Sequence, residues 1–288
     1  MVKKTLQELT IKDNFMFAAA MMDPENCRDV LECILGIEID HVNVSYEKSI
    51  VYHPEYKGIR LDVIARDENH THFNVEMQME NREIFKRSRY YHGQIDMELL
   101  ETGLDYEDLP DCYVIFVCDF DPVGAGKYRY TRRECFSEIP SYPYEGGSHT
   151  IFLSTKGRNE SEVPKELVAF LKFVGATGAE CEKNYGDALV SRLQTSIRRI
   201  KADREMGARY MLFEEMMKDE FKAGKAEGKI EYIMEVLADL GSVSDSIQEK
   251  LISVQDDQVL HDIFNLARRA GSLEEFQDQL DVLLESNK

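Results

Sequence analysis

The 288-residue sequence is short of positive charge and has no long apolar run and no paired metal-binding motif. None of its apolar stretches approaches the roughly 18 residues that a membrane-spanning helix needs. The N-terminus does not combine a basic segment with an apolar one, as a secretory signal peptide would. These absences predict a soluble chain outside the membrane, and we expect it to be cytoplasmic.

The sequence also lacks the short motifs of several common sites. Its six cysteines form no Cys-x-x-Cys pair, and its seven histidines form no His-Glu-x-x-His motif. Structural zinc and a disulfide framework are therefore not expected. Segment 124–127 is glycine-rich, but Asp121 and Tyr128 stand where a phosphate-binding loop needs glycine and Ser or Thr. No organic cofactor is predicted.

Acidic residues are in large excess: 54 Asp and Glu stand against 35 Lys and Arg, for a net charge of -19. Such a chain repels nucleic acid at long range, because phosphate binding draws on Lys and Arg. Screening at physiological salt limits the repulsion to roughly 8 Å, so a local basic surface can still bind DNA. The basic segments are residues 82–89, 127–133 and 198–204. The second interleaves aromatic residues, which suits base stacking, although a surface loop is the simpler interpretation.

Two segments with alternating apolar and polar residues, 59–66 and 72–79, are joined by a polar turn, which is typical of a β-hairpin. Strand side chains alternate between two faces, so Glu76 and Gln78 share a face, and the hairpin can bring Asp62 beside them. Two converging carboxylates with a neighbouring polar group suit a hard divalent cation and an activated water. An ordinary solvent-exposed strand face would show the same alternation.

The pattern Arg60-Leu61-Asp62-Val63, a turn, then Val75-Glu76-Met77-Gln78 resembles the PD-(D/E)XK nuclease superfamily. More narrowly, it resembles the Rpn-like branch of recombination-promoting nucleases and transposases, in which glutamine replaces the lysine of the superfamily motif. Segments 87–91, 103–110 and 113–120 are also similar to that family. The resemblance covers roughly residues 5–230. It implies a metal-dependent DNA endonuclease, linked to recombination or mobile elements.

The resemblance also implies a role for each residue. Asp62 and Glu76 would bind Mg²⁺ or Mn²⁺, and Gln78 would orient the attacking water as the third catalytic residue. Because glutamine carries no positive charge, that charge must come from the metal or from a nearby base. The basic residues expected to contact nucleic acid are Lys57, Arg60, Lys86 and Arg89. For the last two, an ordinary solvated helix face is an equal alternative.

The order of elements supports the same fold. Strands are predicted at residues 42–51, 59–66, 72–79, 113–118 and 149–153, and a helix at 82–102 with Gly103 as its C-cap. This order is that of the PD-(D/E)XK core. The predicted fold is therefore α/β: a restriction-endonuclease-like core, with a central mixed sheet flanked by helices, and a helical C-terminal extension.

Three parts are predicted along the chain. They are a nuclease-like core at residues 1–180, a helical extension at 181–228 and a small acidic helical appendage at 229–288. A helix over residues 188–221 is expected to stop at the glycine-rich segment 224–229, which would act as a joint. The appendage would serve self-association or partner binding, so a homo-oligomer is a further expectation.

Two other functions fit the same residues. A nuclease-like scaffold that no longer cuts, acting as a regulatory or protein-interaction module, would explain the acidity, the missing lysine and the helical tail. A hydrolase of a small phosphorylated substrate would tolerate the acidic surface better than a DNA enzyme would. DNA is the expected partner and Mg²⁺ or Mn²⁺ the expected cofactor of the main interpretation.

Overall fold

The computed structural model describes residues 4–50, 58–144, 146–254 and 256–286. The chain divides into two compact units, one up to Gly207 and the other from Ala208 onward. The first unit is an α/β fold and the second is helical, as the sequence predicts. The division into three parts stays a prediction.

One mixed sheet lies in the first unit. Its strands within the described residues are β1 (Val42–Ile50), β2 (Ile59–Asp67), β3 (His72–Gln78), β4 (Cys112–Cys118), β5 (Arg129–Arg132) and β6 (Ser148–Ser154). Their order across the sheet is β1-β2-β3-β4-β6-β5. β2 is antiparallel to both β1 and β3, whereas β3, β4 and β6 run parallel to one another. β5 is antiparallel to β6. The five predicted strands are confirmed. The prediction of a surface loop at residues 127–133 is wrong in part, because residues 129–132 form β5, which pairs with β6.

Helices cover the sheet on both sides. Those described in the first unit are α1 (Asn14–Met21), α2 (Pro24–Leu35), α3 (Ile84–Leu99), α4 (Lys165–Val174) and α5 (Ala188–Ala202). α3 packs on the face where Tyr91 and Ile95 share an apolar cluster with Phe116 and Phe152. α1 contacts β2 and α2 contacts β1, while α4 and α5 pack with α2. β4 is therefore buried on both faces, as its uninterrupted apolar run predicts.

The ends of α2 follow local sequence signals. The Asp23 side chain accepts hydrogen bonds from the backbone N–H groups of Glu25 and Asn26, and Pro24 occupies the first helical position. The helix ends at Gly36, whose φ of 73° lies in the left-handed region that glycine tolerates. Asp23 therefore caps the start of α2 and Gly36 caps its end.

The ends of α3 differ from the predicted range of 82–102. Glu83 has a left-handed φ of 52°, so the helix begins only at Ile84, after a sharp turn that leaves β3. At the other end α3 stops at Leu99, and Gly103 lies in the following turn with a φ of 102°. The predicted C-cap is therefore wrong, because the chain leaves the helix one turn earlier.

The second unit consists of helices with their own apolar core. Its elements are α6 (Arg204–Ala238), which begins at the end of the first unit, α7 (Asp245–Ile252), α8 (Asp257–Ala267) and α9 (Leu273–Ser286). Residues at the centre of this core include Ile233, Leu237, Leu251, Leu260 and Phe276. No helix in the described part of the chain has the length and apolarity needed to cross a membrane.

Two expectations about the helices after residue 188 are wrong. The predicted helix 188–221 is broken at Asp203, whose extended backbone separates α5 from α6. The predicted joint at 224–229 does not form, because α6 continues through both of its glycines. Each glycine costs a helix only about 1 kcal/mol, and the Lys, Ala and Glu residues around them are strong helix formers.

Candidate functional site

The hairpin of β2 and β3 brings Asp62 beside Glu76. The main-chain ladder between the strands runs from Arg66 and His72 to Val63 and Val75. One residue further, carboxylates take over as acceptors. The backbone N–H of Asp62 donates to Glu76 Oε1 at 3.0 Å, and that of Met77 donates to Asp62 Oδ2 at 3.2 Å. The two acidic side chains therefore bridge the strands where their regular pairing ends.

Burial differs among the three predicted catalytic residues. Glu76 is 1% exposed and Gln78 9%, because α3 covers this face of β3, while Asp62 is half-buried. Gln78 is the last residue of β3. The structure thus brings Asp62, Glu76 and Gln78 together at one end of the sheet, and Asp62 is the most exposed of the three.

A fourth residue, Arg87 of α3, joins this group. Its Nη1 donates to Gln78 Oε1 at 2.7 Å, and its Nη2 donates to the hydroxyl of Tyr91 at 2.8 Å and reaches Glu76 Oε2 at 3.5 Å. The guanidinium also lies over the rings of Tyr91 and Phe116, at 5.2 and 5.7 Å from their centres. A single cation therefore connects Glu76 and Gln78.

Comparison with protein families identifies the segment that carries this site. The model of the PD-(D/E)XK nuclease family transposase matches residues 16–139. These residues form a domain of that family. Neither the curated proteins nor the solved structures gave a match. The matched residues include Asp62, Glu76, Gln78 and Arg87, and members of such nuclease families are typically phosphodiester hydrolases that use a divalent metal.

The carboxyl of Glu76 in the nuclease-family domain has an unusual pKa. Its burial, and then the charge of Asp62, raise the pKa of the Glu76 carboxyl well above its usual value, although Arg87 opposes the shift. Burial likewise raises the pKa of the Tyr91 hydroxyl, with the charge of Glu76 adding to the shift. Ionisation of both carboxyls at once is therefore unfavourable, even with Arg87 beside them.

The residues fit the divalent cation that the family generally uses. Carboxylate oxygens are the ligands that Mg²⁺ and Mn²⁺ prefer, and a cation held by both would remove the repulsion between Asp62 and Glu76. Among the described residues, no three His, Cys, Asp or Glu side chains gather into a metal site. A metal held by these two carboxylates would therefore complete its shell with water and substrate oxygens, as Mg²⁺ commonly does.

The basic residues predicted to contact nucleic acid are spread around the nuclease-family domain. Lys57 lies outside the described residues. Arg60 is half-buried on β2, two residues before Asp62. Lys86 is exposed and pairs with Glu83 at 3.3 Å. Arg89 is exposed on the same helix, and neither of the two hydrogen-bonds to the three catalytic candidates within the described part of the chain.

Part of the second basic segment is engaged inside the fold. Lys127 pairs with Glu162 at 2.6 Å, Arg129 donates to the carbonyl of Ile34 at 3.0 Å, and Arg132 donates to Ser88 Oγ at 3.4 Å. These contacts fasten β5 to neighbouring elements. They leave less of this segment for nucleic acid than its sequence suggests.

Arg87 was missed as a site residue, although the sequence carries a signal for it. Within the predicted helix 82–102, Arg87 is three residues after the apolar Ile84 and four residues before Tyr91. Residues at these spacings lie on one face of a helix. A charged residue on a buried helix face needs a partner, and here the partners are Gln78 and Glu76.

Proposed function

We propose that this chain is a metal-dependent DNA endonuclease that hydrolyses phosphodiester bonds, linked to recombination or mobile elements. The observation that carries the proposal is the pair of carboxylates, Asp62 and Glu76, joined across two strands in a nuclease-family domain. Their oxygens would hold Mg²⁺ or Mn²⁺. When bound, the ion would neutralise the scissile phosphate and lower the pKa of a coordinated water.

The overall reaction is a substitution at phosphorus. A water oxygen attacks the phosphorus atom, and one phosphorus–oxygen ester bond breaks. One proton of the water passes to the departing oxygen, so the products are an alcohol and a phosphomonoester. The attacking and departing oxygens lie on opposite sides of phosphorus, which requires the water to be held in one position.

Gln78 is suited to hold that water but not to deprotonate it. Its carbonyl oxygen already accepts from Arg87, so its NH₂ group remains as the donor side. An amide group is neither an acid nor a base near neutral pH, so Gln78 can orient the water but cannot take its proton. This division of roles predicts a slow enzyme that depends strongly on its metal.

DNA would approach over the surface around Arg60, Lys86 and Arg89, with Lys57 as a further contact. Lys86 and Arg89 are exposed on the helix that covers the site, which makes them available to phosphates. Their effect on binding would be electrostatic, so affinity should fall steeply with salt.

Nicking of supercoiled plasmid in Mg²⁺ or Mn²⁺ tests this function. The wild-type protein is compared with Asp62→Ala and Glu76→Ala, and with Glu80→Ala as a matched control. Glu80 is an exposed acid two residues beyond β3 that pairs with Arg82. Metal-dependent nicking that only the first two substitutions abolish would support the proposal. Absence of nicking by well-folded wild-type protein with either metal would overturn it.

A second candidate function is a nuclease-fold protein that binds partners without cutting. It is favoured by the net charge and by exposed apolar residues of α6: Met211, Leu212, Met216 and Phe221. Leu212 and Met216 are four residues apart on one face of α6, and neighbouring exposed apolar side chains often mark interaction surfaces. Such a protein would fold normally and fail the nicking test with both metals.

The same α6 residues support self-association, with either function. Leu212 and Met216 share a face and are each more than half exposed, so a second copy could bury them. Leu212→Glu combined with Met216→Glu should lower the mass seen by sedimentation equilibrium. Val282→Glu, at an equally exposed position of α9, is the control, and an unchanged mass in the double variant would contradict this surface.

A further inference from the structure

Arg87 is a basic residue in the site to which the function proposed above gives no task. It lies one turn after the start of α3 and one turn before Tyr91. Its side chain is 28% exposed, so the guanidinium is partly covered by protein and still reachable from solvent. A substrate could therefore contact it without displacing the helix.

The guanidinium of Arg87 is fixed in position before any ligand binds. Hydrogen bonds to Gln78 and to the Tyr91 hydroxyl set its plane, and the rings of Tyr91 and Phe116 lie against it. Phe116 is fully buried in β4, so the ring on which the guanidinium rests is held rigidly. A charge that is already in place stabilises a transition state without reorganisation during the reaction.

The guanidinium also keeps hydrogen-bonding capacity. Arginine has five N–H donors. Within the described residues, Nη1 makes one contact, Nη2 makes two and Nε makes none. One donor on Nη1 and the donor on Nε remain for a ligand, and phosphate oxygens are the acceptors that arginine binds best.

We propose that Arg87 is a catalytic residue that binds the scissile phosphate and supplies the positive charge which Gln78 lacks. The proposal rests on the function proposed above, since it requires a phosphodiester at the site. Arg87 donates to the side chain of Gln78, the position where the wider superfamily has lysine. The positive charge of Arg87 thus lies next to the position that lysine occupies in the superfamily, but it belongs to α3 and not to β3.

A purely structural alternative is that Arg87 only neutralises Glu76. The distances argue against it, because the contact to Glu76 is 3.5 Å long and the contact to Gln78 is 2.7 Å. A guanidinium placed to offset a buried carboxylate would make the shorter bond to the carboxylate. The two roles also predict different effects of moving the charge.

The decisive variant moves the charge from the helix to the strand. Arg87→Gln should lower the single-turnover rate of DNA cleavage at saturating Mn²⁺ by about 100-fold, the usual cost of removing one charged or hydrogen-bonding group from a transition state. The double variant Gln78→Lys with Arg87→Gln should recover at least about 10-fold of that loss, since lysine returns a cation to the same place. Arg158→Gln, at an exposed arginine in the loop after β6 that has no proposed contact with DNA, should stay within about threefold of wild type.

Metal binding separates the catalytic role from the structural one. Mn²⁺ affinity, read from the electron paramagnetic resonance signal of the free ion, should be unchanged or tighter in Arg87→Gln, because a positive charge near the ligands is gone. Weaker Mn²⁺ binding that matches the loss of rate, with no recovery in the double variant, would overturn the proposal. So would a wild-type cleavage rate in Arg87→Gln.

A second variant and a binding measurement test the proposal if Arg87→Gln does not fold or if the wild-type protein does not cut DNA. If Arg87→Gln does not fold, Arg87→Lys keeps the charge and should retain metal binding and a rate within about 10-fold of wild type. A folded Arg87→Lys as inactive as Asp62→Ala would overturn the proposal. If wild-type protein does not cut DNA, fluorescence anisotropy with a labelled DNA duplex in Ca²⁺ tests phosphate binding directly. Binding reduced by Arg87→Gln more than by Arg158→Gln, an exposed arginine away from the site, would uphold Arg87 as the phosphate contact. Equal binding by the two variants would reject it.

Discussion

The backbone N–H of Asp62 donates a hydrogen bond to Oε1 of Glu76, with 3.0 Å between the two atoms. In return, Oδ2 of Asp62 accepts from the backbone N–H of Met77 at 3.2 Å. Two acidic side chains on neighbouring strands are thus each bound to the other's strand. This holds two carboxyl groups together in a partly buried place, and the repulsion that would arise if both were ionised has measurable effects.

Without metal, Glu76 should make the protein less stable as the pH rises. Burial and the charge of Asp62 raise the pKa of Glu76 from 4.5 to about 8. Between these values the folded protein keeps a proton that the unfolded chain has lost, so the free energy of unfolding falls as the pH rises. In EDTA at pH 8, Glu76→Gln should therefore raise Tm by at least about 2 °C, a shift that corresponds to roughly 1 kcal/mol.

The pH profile is the control for this prediction. Near pH 3.5, about one unit below the ordinary pKa of 4.5, Glu76 is largely protonated in both states of the wild type, so the gain from Glu76→Gln should vanish there. Glu80→Gln, which changes an exposed carboxylate, should leave Tm nearly constant at both pH values. A Glu76→Gln variant that is less stable than wild type at pH 8 would contradict the raised pKa.

Metal binding should release a proton from the same carboxyl. Glu76 must be ionised to bind a cation, and at pH 7 it is mostly protonated if its pKa is about 8. Titration calorimetry with Mn²⁺ in two buffers of different ionisation enthalpy should report about one proton released per metal at pH 7, and fewer at pH 9. Heats that are identical in both buffers at pH 7 would count against Glu76 as a ligand.

Replacing the glycines of α6 by alanine should stabilise the second unit. Gly224 and Gly228 lie inside the helix, and a Cβ added at either would meet no other atom within 4 Å. Each substitution should add about 0.5–1 kcal/mol, because alanine loses less conformational freedom on entering a helix. Circular dichroism at 222 nm during thermal unfolding would show the gain. Unchanged stability in both variants would favour the flexible joint over the continuous helix.

Removing the cap of α2 should destabilise the first unit. In Asp23→Ala the backbone N–H groups of Glu25 and Asn26 lose their acceptor. The expected cost is about 0.5–2 kcal/mol in the free energy of unfolding by urea. Asp23→Asn keeps an acceptor at the same place and should recover most of this loss. Equal stability of the two variants would show that the cap has no effect.

Local patterns were enough to predict most of the sheet and the position of the carboxylates. Period-two alternation gave β2 and β3, and it put Glu76 and Gln78 on one face. A run of apolar residues gave β4, because a strand buried on both faces needs no polar side. The caps of α2 were predictable for the same reason, since Asp23, Pro24 and Gly36 act within their own helix.

Features that depend on distant residues were not predictable in this way. β5 has only four residues and no apolar alternation, so it exists through its pairing with β6. The continuity of α6 depended on the balance between two glycines and their neighbours. Arg87 was overlooked because its role depends on contacts with Gln78 and Glu76 of β3, nine and eleven residues earlier in the chain. Helical periodicity marked its face but did not say which strand that face would meet.

The alignment of the β2–β3 hairpin has a consequence for how this sequence can change. A slip by one residue would turn every side chain of β2 to the opposite face of the sheet. Val63 would then stand beside Glu76 in place of Asp62, and a buried acid would be left without its counterpart. Mutations that loosen this alignment would lower catalytic activity and stability together. The acidic pair therefore also specifies the register of the hairpin.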